Sequence, residues 1–479
     1  MSRPVVNLFN TLTRTVDPLV PLDPAGKRVS LYVCGPTIYN YGHIGNFRTY
    51  VAVDLLRRSL KHFGYQVDHV MQFTDVDDKT IRGAREKNLP LKEFTAIYRQ
   101  AFLEDAKTLN IEIPERTPNA TDHIPAMIAL IQKLIEKKSA YVSDDGSVYF
   151  RIASFPKYGC LCHLDFAGLV SGARVSQDEY EKEGVGDFVL WKKGAPADGD
   201  VGWDSPWGRG RPGWHIECSA LSMEHLGPRI DIHGGGADLR FPHHENEIAQ
   251  SEAATGLPFV GHWFHVEHLL VDGQKMAKST GNMYTVRDVL ARGYTGRELR
   301  YALLYSAHYR SNLNFTWAGI ENARIALQRI DEWRKRLKEV AAIKEPRIAS
   351  DTRSTLQQSN LNALSLESID HLLSDDLNIS GLLGCLFITI RASHGEMDAG
   401  RLTSDEAREL ESIWDKLNAV LGLEDATVTV PAEVQALLDQ RAVARQAKDF
   451  AKSDELRKAI EALGWKVKDT AKGQELSPG

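Results

Sequence analysis

Residues 31–46 read LYVCGPTIYNYGHIGN, and no other passage of the chain says more about its architecture. Leu31, Tyr32 and Val33 form an apolar strand-like run, and Gly35-Pro36 marks a turn. After His43-Ile44-Gly45-Asn46, a helical spacing of apolar groups runs from Phe47 to about Gly64. Strand, glycine-containing loop and helix, in that order, put backbone N–H groups and a helix N-terminus at the end of a sheet, where phosphate binds readily. His43 and Asn46 can donate hydrogen bonds to a nucleotide there; the plainer alternative is a tight turn. Cys34 closes the strand, so a thiol stands beside the expected phosphate loop. A lone cysteine is more often a small buried apolar residue.

Working outward, the passage lies in a chain of 479 residues, long enough for roughly two to four domains. Its 43% hydrophobic and 25% charged content is ordinary for a globular protein. No apolar run is long enough to span a membrane. The N-terminus lacks the basic-then-apolar form of a signal peptide, which predicts a cytoplasmic location. Five cysteines, an odd number, favour metal or catalytic roles over a disulfide framework. A net charge of −6 argues against indiscriminate nucleic-acid binding but leaves room for a local basic face.

In the helix after the loop, Val51, Leu55, Leu56 and Leu60 share a face, and Gly64 suits its C-cap. A second strand over Tyr65–Phe73 completes a βαβ unit and predicts a parallel sheet. Thr74, Asp75, Asp77 and Asp78 follow at the strand's C-terminal end, where open α/β sheets keep their ligands. Thr74 is the best functional candidate, since Asp77 and Asp78 suit a helix cap equally well. Residues 81–140 read as helical. Residues 141–210, rich in Gly, Pro and Trp, read as an inserted subdomain between two halves of the sheet. Within it, Cys160 and Cys162 alternate about Leu161, which makes a poor chelate on a strand.

The sheet is expected to resume near 213. GWHIECS leads into a short apolar helix, and DIHGGGAD reads as a strand ending in three glycines, followed by Asp238 for a ribose hydroxyl. FPHHENE then opens another helix, on which His243 and Glu247 share a face. His244 has no equivalent partner at Ile248. Cys34 and Cys218, both expected at the sheet edge, would complete a Cys₂-His-Glu set acceptable to zinc. The structural alternative is a pair of helix-start residues satisfying backbone groups. In EHLLVDGQKMAKSTGNMYTVRDVL, residues 267–290, Lys275, Lys278 and Ser279 lie in a glycine-flanked loop that can embrace a polyphosphate or simply stay solvated.

Together these blocks resemble the class I aminoacyl-tRNA synthetases, specifically the cysteinyl-tRNA synthetase family. HIGN at 43–46 resembles that class's HIGH motif, and KMAKS at 275–279 resembles KMSKS. FTDVDDK at 73–79, GWHIECS at 213–219 and DIHGGGADLRFPHHENEIAQ at 231–250 resemble blocks of the cysteine-specific family. The departures are Asn46 and Ala277. The resemblance covers roughly the first 320 residues and returns near 435–470.

It implies an α/β fold: a Rossmann-type catalytic domain over 1–317 with a connective insertion at about 115–212, a helical bundle over 318–421 and a small anticodon-binding domain over 432–479. It further implies one Zn²⁺ on Cys34, Cys218, His243 and Glu247, binding the substrate thiolate directly, and Mg²⁺ with ATP. Gly35, Thr74, Trp214 and His233 would line the cysteine pocket. His43, Asn46, Gly236, Asp238 and Lys278 would hold ATP, with His43, Asn46, Lys275 and Lys278 catalytic. L-cysteine, ATP and tRNA(Cys) are the implied partners of a monomer. At the C-terminus Arg441, Arg445, Lys448 and Arg457 would meet tRNA, with Trp465 either stacking on a base or stapling two helices. Two other readings remain open at this stage. One is a cysteine ligase of mycothiol synthesis, which takes a small amine acceptor. The other is a non-catalytic paralogue that binds tRNA or zinc only.

Overall fold

The computed structural model describes residues 4–163, 174–175, 186–277, 280–343, 353–424, 432–463, 465–470 and 473–478. They form two compact units, Met1–Leu423 and Glu424–Gly479. The first unit opens with a hairpin, β1 (Asn7–Asn10) and β2 (Thr15–Pro18). The passage that opens the sequence analysis follows as β3 (Arg28–Val33), loop, α1 (Ile44–His62) and β4 (Gln66–Met71). Helices α2 (Asp78–Glu86), α3 (Leu91–Thr108) and α4 (Ile124–Glu136) come next. The insertion carries β5 (Ala140–Val142), β6 (Val148–Phe150), β7 (Arg174–Val175), β8 (Asp187–Lys193) and β9 (Gly210–Pro212). It builds a sheet of its own, ordered β5-β6-β8-β7 with β9 also on β8. The remaining catalytic elements are α5 (Trp214–Leu226), β10 (Ile230–Gly236), α6 (His243–Thr255) and β11 (Val260–Val266).

The main sheet has the order β11-β10-β3-β4 and is parallel throughout. Alternation along β3 sends Val29, Leu31 and Val33 into one core and Tyr32 and Cys34 into the other, so both faces are covered. From β3 the chain crosses through α1 to β4 on one side; from β10 it crosses through α6 to β11 on the other. The cleft between β3 and β10 is therefore a topological switch point, where such sheets bind ligands.

Beyond the sheet lie β12 (Leu269–Val271), β13 (Gln274–Lys275), α7 (Val286–Ala291), α8 (Gly296–Tyr305) and β14 (Leu313–Phe315). The helices α9 (Trp317–Ala341), α10 (Thr355–Leu361), α11 (Leu366–Ser374), α12 (Ile379–Asp398) and α13 (Ser404–Leu421) follow. The segment expected to stand apart as a bundle over 318–421 shares one continuous apolar core with α1 and α8. On α9 the buried face is Ile320, Ala323, Leu327, Ile330, Trp333, Leu337 and Val340. Ile325 points to solvent, because it lies two residues from both Ala323 and Leu327, off the 3.6-residue stripe. The sequence also predicts a polar linker around Pro346, and that stretch falls outside the described residues. No described helix is long and apolar enough to cross a membrane.

The second unit pairs α14 (Ala432–Gln446) and α15 (Phe450–Ala462) with a hairpin of β15 (Trp465–Thr470) and β16 (Gly473–Pro478). Val434, Ile460, Trp465 and Val467 form its core. The helix pair matches expectation, and the terminal hairpin is an addition to it.

Candidate active site

Cys34 leaves the end of β3, and Gly35 is required directly after it. A Cβ at Gly35 would sit 1.5 Å from the carbonyl oxygen of Gln72, while its N–H donates to Gln72 Oε1 at 2.6 Å. Cys218 is contributed by the second turn of α5 rather than by a sheet edge, because helix begins at Trp214, right after Pro212-Gly213. α6 begins at His243 behind Pro242 and ends at Gly256 in the left-handed region. Its first two turns aim His243 and Glu247 at the two thiols.

These four side chains converge. Cys34 Sγ lies 3.5 Å from Cys218 Sγ and 3.5 Å from Glu247 Oε1. His243 Nε2 lies 3.4 Å from Cys218 Sγ and 3.2 Å from Glu247 Oε1. All four are buried. Edges of this length suit a tetrahedron with metal–ligand bonds of about 2.0–2.3 Å.

The neighbours fix the ligands. His215 Nδ1 meets His243 Nδ1 at 3.0 Å, leaving Nε2 for the cluster, and His233 Nε2 meets Glu247 Oε2 at 2.9 Å. Burial pushes His243 and His215 down to about 3, so both imidazoles are neutral as metal ligation requires. Burial also pushes Cys218 up to about 11 and Cys34 well above the ordinary thiol range. A bound divalent cation reverses such a shift, since it stabilises the thiolate directly.

Sequence spacing missed His244. Its Nε2 lies 3.3 Å from Cys34 Sγ, and its Nδ1 lies 2.7 Å from Nε2 of His265, whose Nδ1 lies 2.8 Å from Thr11 Oγ1. Cys34, His233, His244 and Glu247 thus form a second donor set overlapping the first. The i, i+4 search could not find it, because its α6 partner Glu247 stands at i, i+3 and the other two, Cys34 and His233, come from the end of β3 and from β10.

Around the cluster, Trp214 stacks on His243 with ring centroids 4.2 Å apart, and His233 stacks on Trp263 at 4.6 Å. Thr74 donates to Glu217 Oε2 at 3.0 Å and accepts from Gln72 Nε2 at 3.1 Å, so its hydroxyl is held in place. Asp77 caps α2, which is the plainer of its two expected roles. Cys160 and Cys162 take part in no metal-like group among the described residues. Instead, the backbone N–H groups of Gly159, Leu161 and Cys162 donate to Glu245, at 2.7, 3.0 and 3.0 Å.

At the start of the helix after the loop, His43 is the N-cap of α1 and Asn46 its third residue. Asn46 N–H donates to His43 Nδ1 at 3.1 Å, and Asn46 Oδ1 accepts from His43 N–H at 3.0 Å. This reciprocal box places the imidazole proton on Nε2 and leaves Asn46 its amide NH₂ as donor. Burial holds His43 below its ordinary pKa, so it stays neutral. Gly236 ends β10 with Asp238 folded against it. Lys275 lies exposed on β13. The loop beyond it docks on the helix start: Ile44 N–H donates to Tyr284 O at 2.8 Å. The Met276 methyl occupies space that a Cβ on Gly45 would need. Ala277 N–H donates to Asn282 Oδ1 at 2.9 Å. Lys278 and Ser279 fall outside the described residues.

In the second unit, Arg441 is 1% exposed and its guanidinium is bound to Asp469 and Gln474. It is thereby removed from the expected nucleic-acid face: pairing and burial leave it no free donor edge for phosphate. Trp465 is buried between helix and hairpin, so it staples the unit rather than offering a stacking face. Arg445, Lys448 and Arg457 remain at the surface. Among them stands Phe450, 64% exposed at the start of α15, a residue the sequence reading passed over.

Residues 21–325 match the tRNA synthetases class I (C) catalytic domain, and residues 427–476 match the cysteinyl-tRNA ligase anticodon binding domain. A cysteine–tRNA ligase of Protochlamydia amoebophila is 46% identical over 477 residues, covering 98% of this chain and 97% of the relative. The same enzyme of Chlamydia felis is 47% identical over 472 residues (98% and 97%), and that of Brachyspira hyodysenteriae 44% over 472 residues (97% and 98%). Among solved structures, Mycobacterium tuberculosis methionyl-tRNA synthetase with methionyl-adenylate superposes with a TM-score of 0.62. It has 16% identity and covers 89% of this chain and 96% of that one, a likeness of fold.

Proposed function

The chain belongs to the cysteine–tRNA ligase family, and we propose that the cluster of Cys34, Cys218, His243 and Glu247 is where it recognises L-cysteine. The activity is ATP-dependent: cysteine is activated as cysteinyl-adenylate and passed to the 3′ end of tRNA(Cys). The observation that carries the assignment of the pocket is the convergence of two thiols, an imidazole and a carboxylate at the switch point of the sheet.

The donor set suits Zn²⁺ better than harder cations, since two thiolates and an imidazole favour borderline-soft ions. When bound, zinc supplies a site for the substrate thiolate that serine's neutral hydroxyl cannot match. Selectivity resting on one strong contact that a competitor lacks can be large enough to need no editing. Of the two donor sets, the one with both cysteines is the better zinc site, which leaves His233 and His244 as flanking supports. Gly35, Thr74, Trp214 and His233 shape the surrounding pocket.

Negative charge grows on the phosphates when the cysteine carboxylate attacks the α-phosphate of Mg·ATP. Fixed donors stabilise it most. His43 Nε2–H and the Asn46 amide donate from the helix side, and Lys275 and Lys278 from the opposite loop. Gly236 and Asp238 hold the adenosine. In the second unit, Arg445, Lys448 and Arg457 bind tRNA phosphates and the Phe450 ring stacks on a base. A ligase with a small amine acceptor has no use for this segment, and the match at 427–476 favours the tRNA acceptor. The domain limits 1–317, 318–421 and 432–479 and a monomeric state follow from the family resemblance, and a cytoplasmic location follows from it together with the sequence reading.

The test is a pair of assays on the full chain. Cysteine-dependent exchange of pyrophosphate into ATP and charging of tRNA with cysteine are both expected, with serine inert in the first. Exchange without charging would restore the small-acceptor reading, and loss of both would restore the binding-only one.

A further inference from the structure

Of the two flanks of the nucleotide cleft, the lysine side has few backbone ties. Tyr284 O accepts from Ile44 N–H, and His43 forms a single bridge with Thr285. A tie from α7 to the other flank would hold the two together. One side chain is placed to do so. Arg287, in the first turn of α7, sends Nη2 to Glu104 Oε2 at 2.9 Å and Nε to Asp105 Oδ1 at 3.3 Å, both on α3. The same guanidinium lies 4.9 Å from the centroid of the Tyr41 ring, two residues before His43. At the far end of α7, Arg292 packs on Trp317 at 3.9 Å and on Tyr284 at 5.3 Å.

We propose that Arg287 is a positioning residue: it latches the lysine loop to α3 and to the loop before His43, so that Lys275 faces the triphosphate. This rests on the reading of that loop as the phosphate-binding loop. Arg287 and Tyr41 are 42% and 44% exposed, so the contact adds little to stability, as exposed pairs generally do. What it does is join, through one planar cation, the two segments that must close on ATP.

The latch has a pH limit. Asp105 is 4% exposed, and the charged groups facing it are Arg287 from α7 and Glu104 from its own helix. Burial raises its pKa to about 6 against the pull of Arg287. Because the folded pKa is raised, the carboxylate is ionised and paired above about pH 6, and the pair is lost as pH falls through that value.

The experiment uses the full-length protein with zinc and four forms: wild type, Arg287→Met, Arg287→Lys and Asp105→Asn. In cysteine-dependent pyrophosphate exchange, Arg287→Met is expected to lower kcat about tenfold, with the cysteine KM and bound metal unchanged. Arg287→Lys should recover only part of the rate, since it restores charge without the planar fork. Asp105→Asn should abolish the decline in kcat that the wild type shows between about pH 7 and 5.5. Cleavage after Lys275 by a lysine-specific protease, read by mass spectrometry, needs no activity at all. It should run about tenfold faster in Arg287→Met. Equal cleavage rates in Arg287→Met and wild type would overturn the latch. So would a kcat within twofold of wild type, or an unchanged pH profile in Asp105→Asn. A wild type lacking exchange but showing the cleavage difference would overturn the functional reading and leave the latch standing.

Discussion

The two sides of the proposed active-site cleft are built on opposite principles. On the cysteine side, Cys34, Cys218, His243 and Glu247 are 0–5% exposed and come from one strand end and two helices. Buried neighbours hold two of them and the turn beside a third: His215 behind His243, His233 behind Glu247, and Gln72 on Gly35 next to Cys34. On the proposed phosphate side, Lys275 stands in solvent on a two-residue strand, and the loop after it meets the start of α1 through the hydrogen bond from Ile44 N–H to Tyr284 O. The difference follows from the tasks. Recognition of a thiolate demands donors whose geometry does not relax around the wrong substrate. Handling a triphosphate demands charges that admit a nucleotide and then close on it.

If that contrast is right, substitutions on the two sides separate by size and by kinetic parameter. Cys218→Ser strikes the fixed side. Bound zinc should fall from one ion per chain to a small fraction, and kcat/KM for cysteine should drop about a thousandfold, roughly 4 kcal/mol. Metal analysis beside pyrophosphate exchange measures both, and a full complement of zinc in the variant would break the comparison at its root. Lys275→Ala strikes the exposed side. Its kcat should fall roughly 30-fold while the cysteine KM stays within about twofold. A rise in cysteine KM instead would show that the two sides are not separable. Phe450→Ala lies outside the cleft in the second unit. The tRNA KM should rise about tenfold with exchange unaltered, in keeping with about 1–3 kcal/mol per stacked base. The smallest effect is expected for Ala277→Ser. The Ala277 backbone N–H, not its side chain, is what the loop uses, so exchange should stay within about twofold.

Arg441 shows why local pattern misleads. In the sequence it belongs to a basic run with Arg445 and Lys448, and a run of that kind suggests a nucleic-acid face. In the structure a hairpin absent from the reading brings Asp469 and Gln474 against it, so the guanidinium is buried and paired with an exposed carboxylate. Trp465 is drawn inward by the same hairpin. Conversely Phe450, unremarkable between Asp449 and Ala451, is left exposed because the turn before α15 points it outward. His244 and Arg287 belong to the same class of omission. Their partners lie 210 and about 180 residues away, beyond any periodic search.

What the chain's residues determined by themselves were the local devices: the strand, turn and helix of 31–62, the βαβ unit, and the shared face of His243 and Glu247. These depend on propensity and on periods of 2 and 3.6, which act over a few residues. What tertiary structure decided was which distant side chains meet. Cys218 joins the cluster from a helix, His244 forms an overlapping donor set, and Arg441 is buried. Such meetings are set by how helices and sheets pack around a shared core, and packing depends on the whole chain at once.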